Sequence, residues 1–187
     1  MVVIFGLMGT GKTTLARDLG EALGWPVIHS DAVRKTLAGL TPTTPTPVEF
    51  GKGIYDENFS RRTYEEMRCQ AGLHLAAGRS VILDGSYKRT GEREGVRQLA
   101  QAGGARALFV YCDCPAAVVK ERLGLRAWDP KSISDGRLEL MEAQAKDFDP
   151  LMPEDRPLLR LDTGRELPAV LAELKSFIQP YLDPNGF

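Results

Sequence analysis

The feature that most constrains this chain is a glycine-rich segment at residues 6–13, directly after a short apolar run. Its sequence, Gly-Leu-Met-Gly-Thr-Gly-Lys-Thr, fits the pattern G-x-x-x-x-G-K-[ST], and a helical stretch follows it. The glycines let consecutive backbone N–H groups turn toward a phosphate, and the helix that begins near Lys12 directs the positive end of its dipole at the same point. The segment therefore predicts a binding site for the phosphates of a nucleotide.

The polar residues of this segment have expected roles. Lys12 should reach the β- and γ-phosphates and act in catalysis, and the Thr13 hydroxyl should ligate Mg²⁺. Thr14 is an additional candidate for a contact with the α-phosphate. The residues predicted to bind the nucleotide are Gly6, Met8, Gly9, Thr10, Gly11, Lys12, Thr13 and Thr14.

Short apolar runs alternate with longer helical stretches along the chain. The apolar runs are rich in β-branched residues, which is typical of buried parallel strands. They cover residues 2–5, 27–28, 81–83, 108–111 and 158–161. The helical stretches cover residues 12–23, 57–77, 92–102, 115–123, 132–146 and 167–178. Together with the glycine-rich segment, this alternation predicts an α/β fold of the P-loop NTPase type, a three-layer sandwich in which a five-stranded parallel sheet is flanked by helices.

The length and composition fit one domain that spans residues 1–187. Hydrophobic residues make up 43% of the chain and charged residues 26%, which is typical of a globular domain with a full core. The 24 Lys and Arg residues are balanced by 25 Asp and Glu residues, so the net charge of −1 gives no overall basic surface for long duplex nucleic acid. No apolar run approaches the roughly 18–20 residues of a membrane span, and we expect a cytoplasmic protein without a membrane partner.

The region of approximately residues 40–78 is a candidate insertion that covers an acceptor molecule. It starts with a Thr/Pro-rich loop at residues 41–47, whose prolines exclude a helix or a central strand. The helix at residues 57–77 follows, and an apolar stripe at helical spacing is predicted to face the core. The stripe consists of Tyr64, Met67, Ala71 and Leu75. The charged residues of the other face, Arg61, Arg62, Glu65 and Arg68, are interpreted individually as solvated.

Acidic residues follow the predicted strands at the edge of the sheet where ligands of open α/β folds bind. Asp31, after the second strand, can accept a proton from a hydroxyl group. The alternative is an N-cap, because Ser30 or Asp31 at the start of a helix needs no catalytic role. Asp84, after the third strand, is predicted to lie near Mg²⁺ and to act through water, and Asp113, after the fourth strand, is the alternative.

Four segments in combination resemble the small P-loop kinases that phosphorylate a hydroxyl group, especially the polynucleotide 5′-hydroxyl kinases and the zeta-toxin-like kinases. They are residues 6–13, Ser-Asp-Ala-Val-Arg at 30–34, Val-Ile-Leu-Asp-Gly at 81–85 and Glu-Arg-Leu-Gly-Leu-Arg at 121–126, and the resemblance covers nearly the whole chain. It implies that ATP and Mg²⁺ are the cofactors, that Asp31 is the catalytic base and that Arg34 binds the acceptor.

A kinase of this kind needs a cationic lid, because phosphoryl transfer spreads negative charge over the moving group. The expected arginine-bearing lid covers approximately residues 122–135. Arg122 and Arg126 are its candidate catalytic residues, because they are four residues apart on a helix and can point into the cleft together. Lys131 lies in the same stretch.

The turn at residues 83–85 also resembles the acidic turn of adenylate-kinase-like enzymes. In this chain Ser86 and Tyr87 replace the Phe-Pro pair that is typical of those enzymes. The two basic residues that follow, Lys88 and Arg89, are therefore interpreted as solvated charges at a helix end.

These features predict a phosphotransferase that moves the γ-phosphate of Mg-ATP to the hydroxyl group of a small molecule. A polynucleotide 5′-hydroxyl end is an alternative acceptor, because it needs only a short basic groove. A further alternative, from another class, is an ATP-binding regulatory module with slow hydrolysis that acts through a partner. Because the chain begins at its first predicted strand, a fusion partner domain in a longer protein is also left open.

Overall fold

A five-stranded parallel sheet is the centre of the computed structural model, which describes residues 1–41, 44, 52–126 and 143–182, with the backbone alone for residues 125 and 126. The strands are β1 (Val2–Phe5), β2 (Val27–His29), β3 (Ile82–Asp84), β4 (Leu108–Asp113) and β5 (Leu158–Asp162). Their order in the sheet is β2-β3-β1-β4-β5, and each neighbouring pair is parallel. The predicted five-stranded parallel sheet is confirmed.

Helices connect the strands and cover both faces of the sheet. They are α1 (Lys12–Leu23), α2 (Ser30–Leu37), α3 (Glu57–Ala76), α4 (Thr90–Ala102), α5 (Ala116–Arg126) and α6 (Leu167–Ile178), with short 3-10 turns at Gly53–Tyr55, Pro153–Asp155 and Gln179–Tyr181. Of the helix predicted at residues 132–146, residues 143–146 are helical, and the rest lies outside the described residues. The predicted loop at residues 41–47 also lies outside them, apart from residues 41 and 44.

The sheet separates two apolar cores, because successive side chains of a strand point to opposite faces. Val3 and Phe5 of β1 belong to the core shared with α3 and α4. Val2 and Ile4 belong to the core shared with α1 and α6. All four residues are completely buried, as expected for the central strand of a parallel sheet with helices on both sides. The predicted three-layer arrangement is thus confirmed.

A buried ion pair joins α4 to the segment before β5. Arg93 and Asp155 are both fully buried, and Nε of Arg93 donates to Oδ2 of Asp155 over 2.9 Å. The two Nη groups of Arg93 donate to the carbonyl oxygens of Tyr87, at 2.9 Å, and Pro150, at 2.7 Å. All three guanidinium nitrogens therefore have acceptors, which a buried arginine requires.

The same pair fixes the loop that follows β3. Tyr87 in this loop has a φ of 42°, in the left-handed region that residues with a Cβ rarely adopt. Its carbonyl is held by Arg93, and its ring packs on Tyr64 of α3 with 4.7 Å between the ring centroids. Asp155 accepts two further hydrogen bonds, from Arg97 at 2.7 Å and from the Met152 N–H at 2.9 Å. The unusual conformation of the loop is therefore determined by contacts on both of its sides.

A second set of charges joins the loop after β3 to residues 147–149. Lys88 and Arg89 both form ion pairs with Asp147, and Nη2 of Arg89 lies 2.6 Å from Oδ1 of Asp147. The Thr90 N–H donates to Asp149 over 2.9 Å and lowers the pKa of that carboxyl group. The interpretation of Lys88 and Arg89 as solvated charges is therefore wrong. Their carboxylate partners lie 58 to 60 residues further along the chain, where no local pattern points to them.

We expect Asp155→Asn to lower the free energy of unfolding by about 3–5 kcal/mol, because it removes the charge that balances the buried Arg93 guanidinium. Equilibrium unfolding in urea measures this loss. Glu173→Gln is the matched control, since Glu173 is an exposed partner of Arg165, and its effect should be small. A loss at Asp155 no larger than the loss at Glu173 would contradict the central role of the buried pair.

Glu92 caps the N-terminus of α4, and its surroundings shift its titration. Its carboxylate accepts a hydrogen bond from the Arg89 N–H at 3.2 Å. Burial raises the pKa of Glu92 to about 7 from its ordinary value of 4.5, and the Arg89 N–H and nearby cations offset only part of this effect. The protonated carboxyl group is thus favoured in the folded state.

Because folding raises this pKa, the contribution of Glu92 to stability is complete below about pH 4.5 and is lost as the pH rises through 7. Glu92→Gln should therefore gain stability relative to the wild type between pH 5 and pH 8, by on the order of 2 kcal/mol. Urea unfolding at several pH values measures the difference. Glu94→Gln is the control, because Arg97 lowers the pKa of Glu94, and its curve should follow the wild type in this range. If the free energy of unfolding of Glu92→Gln changed with pH in parallel with that of the wild type, the raised pKa of Glu92 would be refuted.

Candidate active site

The glycine-rich segment forms a loop between β1 and α1. At two positions of this loop, the backbone conformation and the close packing require glycine. Gly6 and Gly9 have φ values of 138° and 76°. A Cβ atom at Gly6 would lie 2.7 Å from the Cys112 carbonyl oxygen, and one at Gly9 would lie 2.6 Å from Cγ1 of Val119. The loop is therefore packed against β4 and α5, and α1 begins directly behind it at Lys12. This is the strand-loop-helix context that the phosphate-binding pattern requires.

Side chains of the loop fold back on its own backbone. Nζ of Lys12 donates to the Leu7 carbonyl oxygen at 2.5 Å, and the Thr10 hydroxyl donates to the same oxygen at 2.8 Å. The Met8 N–H donates to Oε1 of Gln144 at 2.6 Å. The helical residues 143–146 therefore contact the loop that is predicted to hold the phosphates.

Thr13 and Asp84, the two predicted metal-binding residues, meet at the carboxyl edge of the sheet. The Thr13 hydroxyl donates to Oδ2 of Asp84 at 2.8 Å, although the two residues are 71 positions apart in the chain. Oδ1 of Asp84 is buried and has no hydrogen-bond partner among the described residues. A hydroxyl group and a carboxylate with a vacant oxygen fit the oxygen ligands that Mg²⁺ prefers. The described residues contain no group of three or more His, Cys, Asp and Glu that could hold a metal.

His29 is a third member of this cluster that the sequence analysis did not identify. It lies opposite Asp84 in the register of β2 and β3, and its Nδ1 is 2.8 Å from Oδ2 of Asp84. Oδ2 thus has two partners, His29 and Thr13, which orient the carboxylate and leave Oδ1 for another ligand. The available signal was positional, because His29 is the last residue of its strand as Asp84 is of the neighbouring strand.

Asp31 lies in the first turn of α2, directly after β2. The N-cap residue of α2 is His29, and no side chain caps the helix there. A carboxylate at the Asp31 position also complements the positive end of the helix dipole. The structure therefore places Asp31 at the predicted edge of the sheet, and its role as a base stays a prediction.

Arg34, the predicted acceptor-binding residue, is buried between α2 and the segment before α3. Its Nη1 donates to the Ile54 carbonyl oxygen at 2.6 Å and to the Ser60 hydroxyl at 3.1 Å. Its guanidinium carbon lies 4.9 Å from the centre of the Tyr55 ring. Nε of Arg34 is buried without a partner in the described part of the chain. Arg34 thus holds in place the residues that line a neighbouring cavity.

This cavity, which we call the α3–α4 cavity, has a volume of about 910 Å³. Residues of α3, of the loop after β3 and of α4 line it, among them Ser60, Tyr64, Arg68, Lys88, Arg89 and Glu92. The Tyr64 hydroxyl also contacts the Ser86 hydroxyl at 2.9 Å, two residues beyond Asp84. Burial raises the pKa of Tyr64 well above its usual range, so the phenol is neutral. One wall residue of the α3–α4 cavity, Tyr64, thus contacts the loop that directly follows Asp84.

Of the two predicted lid arginines, the structure describes the side chain of Arg122 and only the backbone of Arg126. Arg122 donates to the Thr163 carbonyl oxygen at 2.8 Å, and a Cβ atom at Gly11 would lie 3.3 Å from its Nη1. Arg122 therefore lies between the glycine-rich loop and the loop after β5. Arg126 is the last residue of α5, and its side chain lies outside the description, as do residues 127–135 of the expected lid, Lys131 among them.

None of the helices in the described residues is long and apolar enough to cross a membrane.

Comparisons with known proteins agree with this arrangement. The model of an AAA domain family matches residues 1–151. An uncharacterized protein of Mycobacterium tuberculosis is 30% identical over 149 residues, which are 80% of this chain and 30% of that protein, so the chain spans about a third of that relative's length. A shikimate kinase of Aromatoleum aromaticum is 27% identical over 185 residues, which cover 97% of this chain and 95% of that enzyme.

The solved structures include an unliganded sugar kinase from a Janibacter species with a TM-score of 0.71. The two sequences are 20% identical, and the match covers 95% of this chain and 93% of that one, so it shows the common fold. The chain belongs to the AAA domain family, and its fold is that of a P-loop domain.

Proposed function

We propose that this domain transfers the γ-phosphate of Mg-ATP to a hydroxyl group of a small molecule. The observation that carries the proposal is the α3–α4 cavity, whose wall residue Tyr64 contacts Ser86, two residues beyond the Asp84 that accepts from Thr13. A phosphotransferase needs such a space for its second substrate, whereas a regulatory module that hydrolyses ATP does not. The similarity to a shikimate kinase over nearly the whole chain supports a small acceptor.

The residues of the glycine-rich loop bind the donor in this proposal. Their backbone N–H groups and the α1 dipole face the phosphates, and Lys12 leaves the Leu7 carbonyl to bind the β- and γ-phosphates. Thr13 and Asp84 would hold Mg²⁺, which neutralises charge on the phosphate oxygens when bound. Arg122 adds a positive charge beside Gly11. Arg126 remains the second candidate for stabilising the charge of the moving phosphoryl group.

Asp31 is the proposed base on the acceptor side. The acceptor hydroxyl loses its proton to the Asp31 carboxylate as its oxygen bonds to the γ-phosphorus, and the bond from that phosphorus to the β,γ-bridging oxygen breaks to release ADP. Arg34 contributes by fixing Ser60 and the Ile54 backbone, which support the wall of the α3–α4 cavity. Positioning of the two substrates supplies much of the acceleration in reactions of this kind.

A polynucleotide 5′-hydroxyl end is the second candidate acceptor. The observation that favours it is the presence of Arg61 and Arg68 along the α3–α4 cavity, since arginines bind phosphodiester groups well. Transfer of labelled γ-phosphate to a panel of 5′-hydroxyl oligonucleotides, nucleosides, sugars, sugar acids, aminoglycosides and UDP-sugars separates the two candidates. Slow hydrolysis of ATP without any labelled acceptor would favour the regulatory module instead.

We expect Asp31→Asn to lower kcat for transfer by about 10²–10⁴-fold, because the acceptor proton loses its base. The Kd for ADP should stay within about twofold of the wild type, since the glycine-rich loop is unchanged. Steady-state transfer kinetics and titration with a fluorescent ADP analogue measure the two quantities. Asp18→Asn, which changes the half-buried partner of the exposed Arg17 on α1, is the control and should transfer normally. Unchanged turnover by Asp31→Asn would exclude Asp31 as the base.

We expect His29→Phe to raise, by about 10-fold, the Mg²⁺ concentration needed for half-maximal binding of the fluorescent ADP analogue. Loss of a group that orients a metal-binding carboxylate typically weakens metal affinity by about this factor. The measurement reads nucleotide binding and does not depend on turnover. His74→Phe, on α3 and away from Asp84, is the matched control and should leave the Mg²⁺ requirement unchanged. An equal requirement in His29→Phe and the wild type would show that His29 does not orient Asp84.

A further inference from the structure

Most of the positive charges along the α3–α4 cavity already have partners. Lys88 and Arg89 are held by Asp147, and Arg89 also contacts Asp149 at 3.3 Å. Arg61 is exposed and donates to Oδ1 of Asn58 at 3.2 Å. Lys88 and Arg89 are therefore neutralised within the protein, and Arg61 is solvated.

The carboxylates of the cavity are occupied or peripheral as well. Asp56 caps α3 by accepting a hydrogen bond from the Phe59 N–H at 2.7 Å, and the Glu92 side chain accepts one from the Arg89 N–H before α4 at 3.2 Å. Burial raises the pKa of Glu92 to about 7, so this carboxyl group is partly neutral near physiological pH. Glu57 and Glu65 are exposed at the rim. The interior of the cavity thus has no strong negative charge.

Arg68 differs from the other charged residues of this cavity. It lines the cavity from α3, is half-buried, and has no hydrogen bond or ion pair with any of the described residues. An arginine keeps its charge under all ordinary conditions, so a guanidinium on a half-buried residue without a partner is a site that an anion would complete. The planar group also presents paired N–H donors that match a carboxylate or a phosphate.

The backbone of α4 makes room for this guanidinium at Gly95. A Cβ atom at Gly95 would lie 3.1 Å from Nη1 of Arg68 and 3.2 Å from both its Cδ and its Cζ. Glycine inside a helix costs stability relative to alanine, and here it lets the guanidinium lie directly against the helix. Arg68 is therefore seated between α3 and α4 at the wall of the cavity.

We infer that the acceptor is a small hydroxyl compound that also carries a carboxylate or phosphate group, and that Arg68 binds this anionic group. The inference rests on the proposed function and names the class of its substrate. The volume of about 910 Å³ lies within the usual range for small-molecule sites and leaves space for both parts of such a compound. Arg68 is thus a specificity-determining residue on the wall of the α3–α4 cavity.

Matched pairs of acceptors test the inference in the wild-type protein. The acids are gluconate, shikimate and glycerol 3-phosphate, and their neutral counterparts are glucitol, methyl shikimate and glycerol. We expect at least one acid to have a kcat/KM about 10-fold or more above that of its counterpart, as one charge-assisted hydrogen-bond pair provides. The carboxylates and the phosphate ester form separate arms, which distinguish the two sources of the anionic group. Neutral compounds that are used as well as their acids in every pair overturn the inference.

Variants of Arg68 assign the effect to this residue. Arg68→Gln should remove the preference by lowering kcat/KM for the acid about 10-fold or more while leaving that of the neutral compound unchanged. Arg68→Lys retains the charge and should keep part of the preference. Gly95→Ala should weaken the preference without altering any charge. Arg62→Gln is the matched control, because Arg62 lies on the same helix with its guanidinium 5.2 Å from the Phe59 ring. Equal losses for acid and neutral compound in Arg68→Gln would contradict the assignment.

Failure of the inference and failure of the proposed function give different results. Phosphorylation of neutral sugars or of a 5′-hydroxyl oligonucleotide, with none of the acids used, overturns the inference and leaves the phosphotransferase intact. If no compound is phosphorylated, the proposed function fails, and calorimetric titration with the same acids decides the inference. Binding of an acid that Arg68→Gln loses supports it, and absence of binding by the wild type overturns it. Thermal unfolding confirms that each variant is folded.

Discussion

The buried pair of Arg93 and Asp155 is the contact on which the loop after β3 and the segment before β5 both depend. Through the carbonyl groups of Tyr87 and Pro150, one guanidinium fixes the loop after β3 and the segment before β5. A buried ion pair adds little net stability, because desolvation offsets much of the attraction, yet separation of its members is strongly unfavourable. Arrangements of the two loops that would leave Arg93 without Asp155 are therefore disfavoured, and the cavity wall keeps one shape.

Donor and acceptor sides of the site are built on different physical principles. The donor side is mainly backbone: glycines with positive φ, the N-terminus of α1 and one lysine bind any nucleotide phosphate chain in much the same manner. The acceptor side is made of side chains from α3 and α4, whose charges are mostly paired within the protein. Asp84 and Ser86 connect the two, because the first contacts Thr13 and the second contacts Tyr64. Variation on the acceptor side can change the substrate without disturbing the nucleotide loop.

The features that the sequence predicts correctly are those with a local signature. The glycine-rich pattern depends on eight consecutive residues, and the five strands depend on short apolar runs, so both could be located before the structure was known. The pairing of Thr13 with Asp84 also follows from chain order, since the carboxyl ends of parallel strands meet at one edge. Contacts between distant residues of ordinary type could not be predicted in this way. Arg93 with Asp155, Arg89 with Asp147, and Arg68 over Gly95 involve surface-type residues whose burial is decided only by packing.

The central position of β1 has a consequence for how the chain acquires its structure. Although β1 is near the N-terminus, it pairs with β3 and β4, and Gly6 lies against the Cys112 carbonyl. The nucleotide loop therefore cannot take its final shape during synthesis until more than half of the chain has left the ribosome. Pairings of such long sequence separation make folding slow, and a ligand that binds only the finished sheet shifts the balance toward it. Nucleotide would then act on the newly made chain as a late stabiliser, before it serves as a substrate.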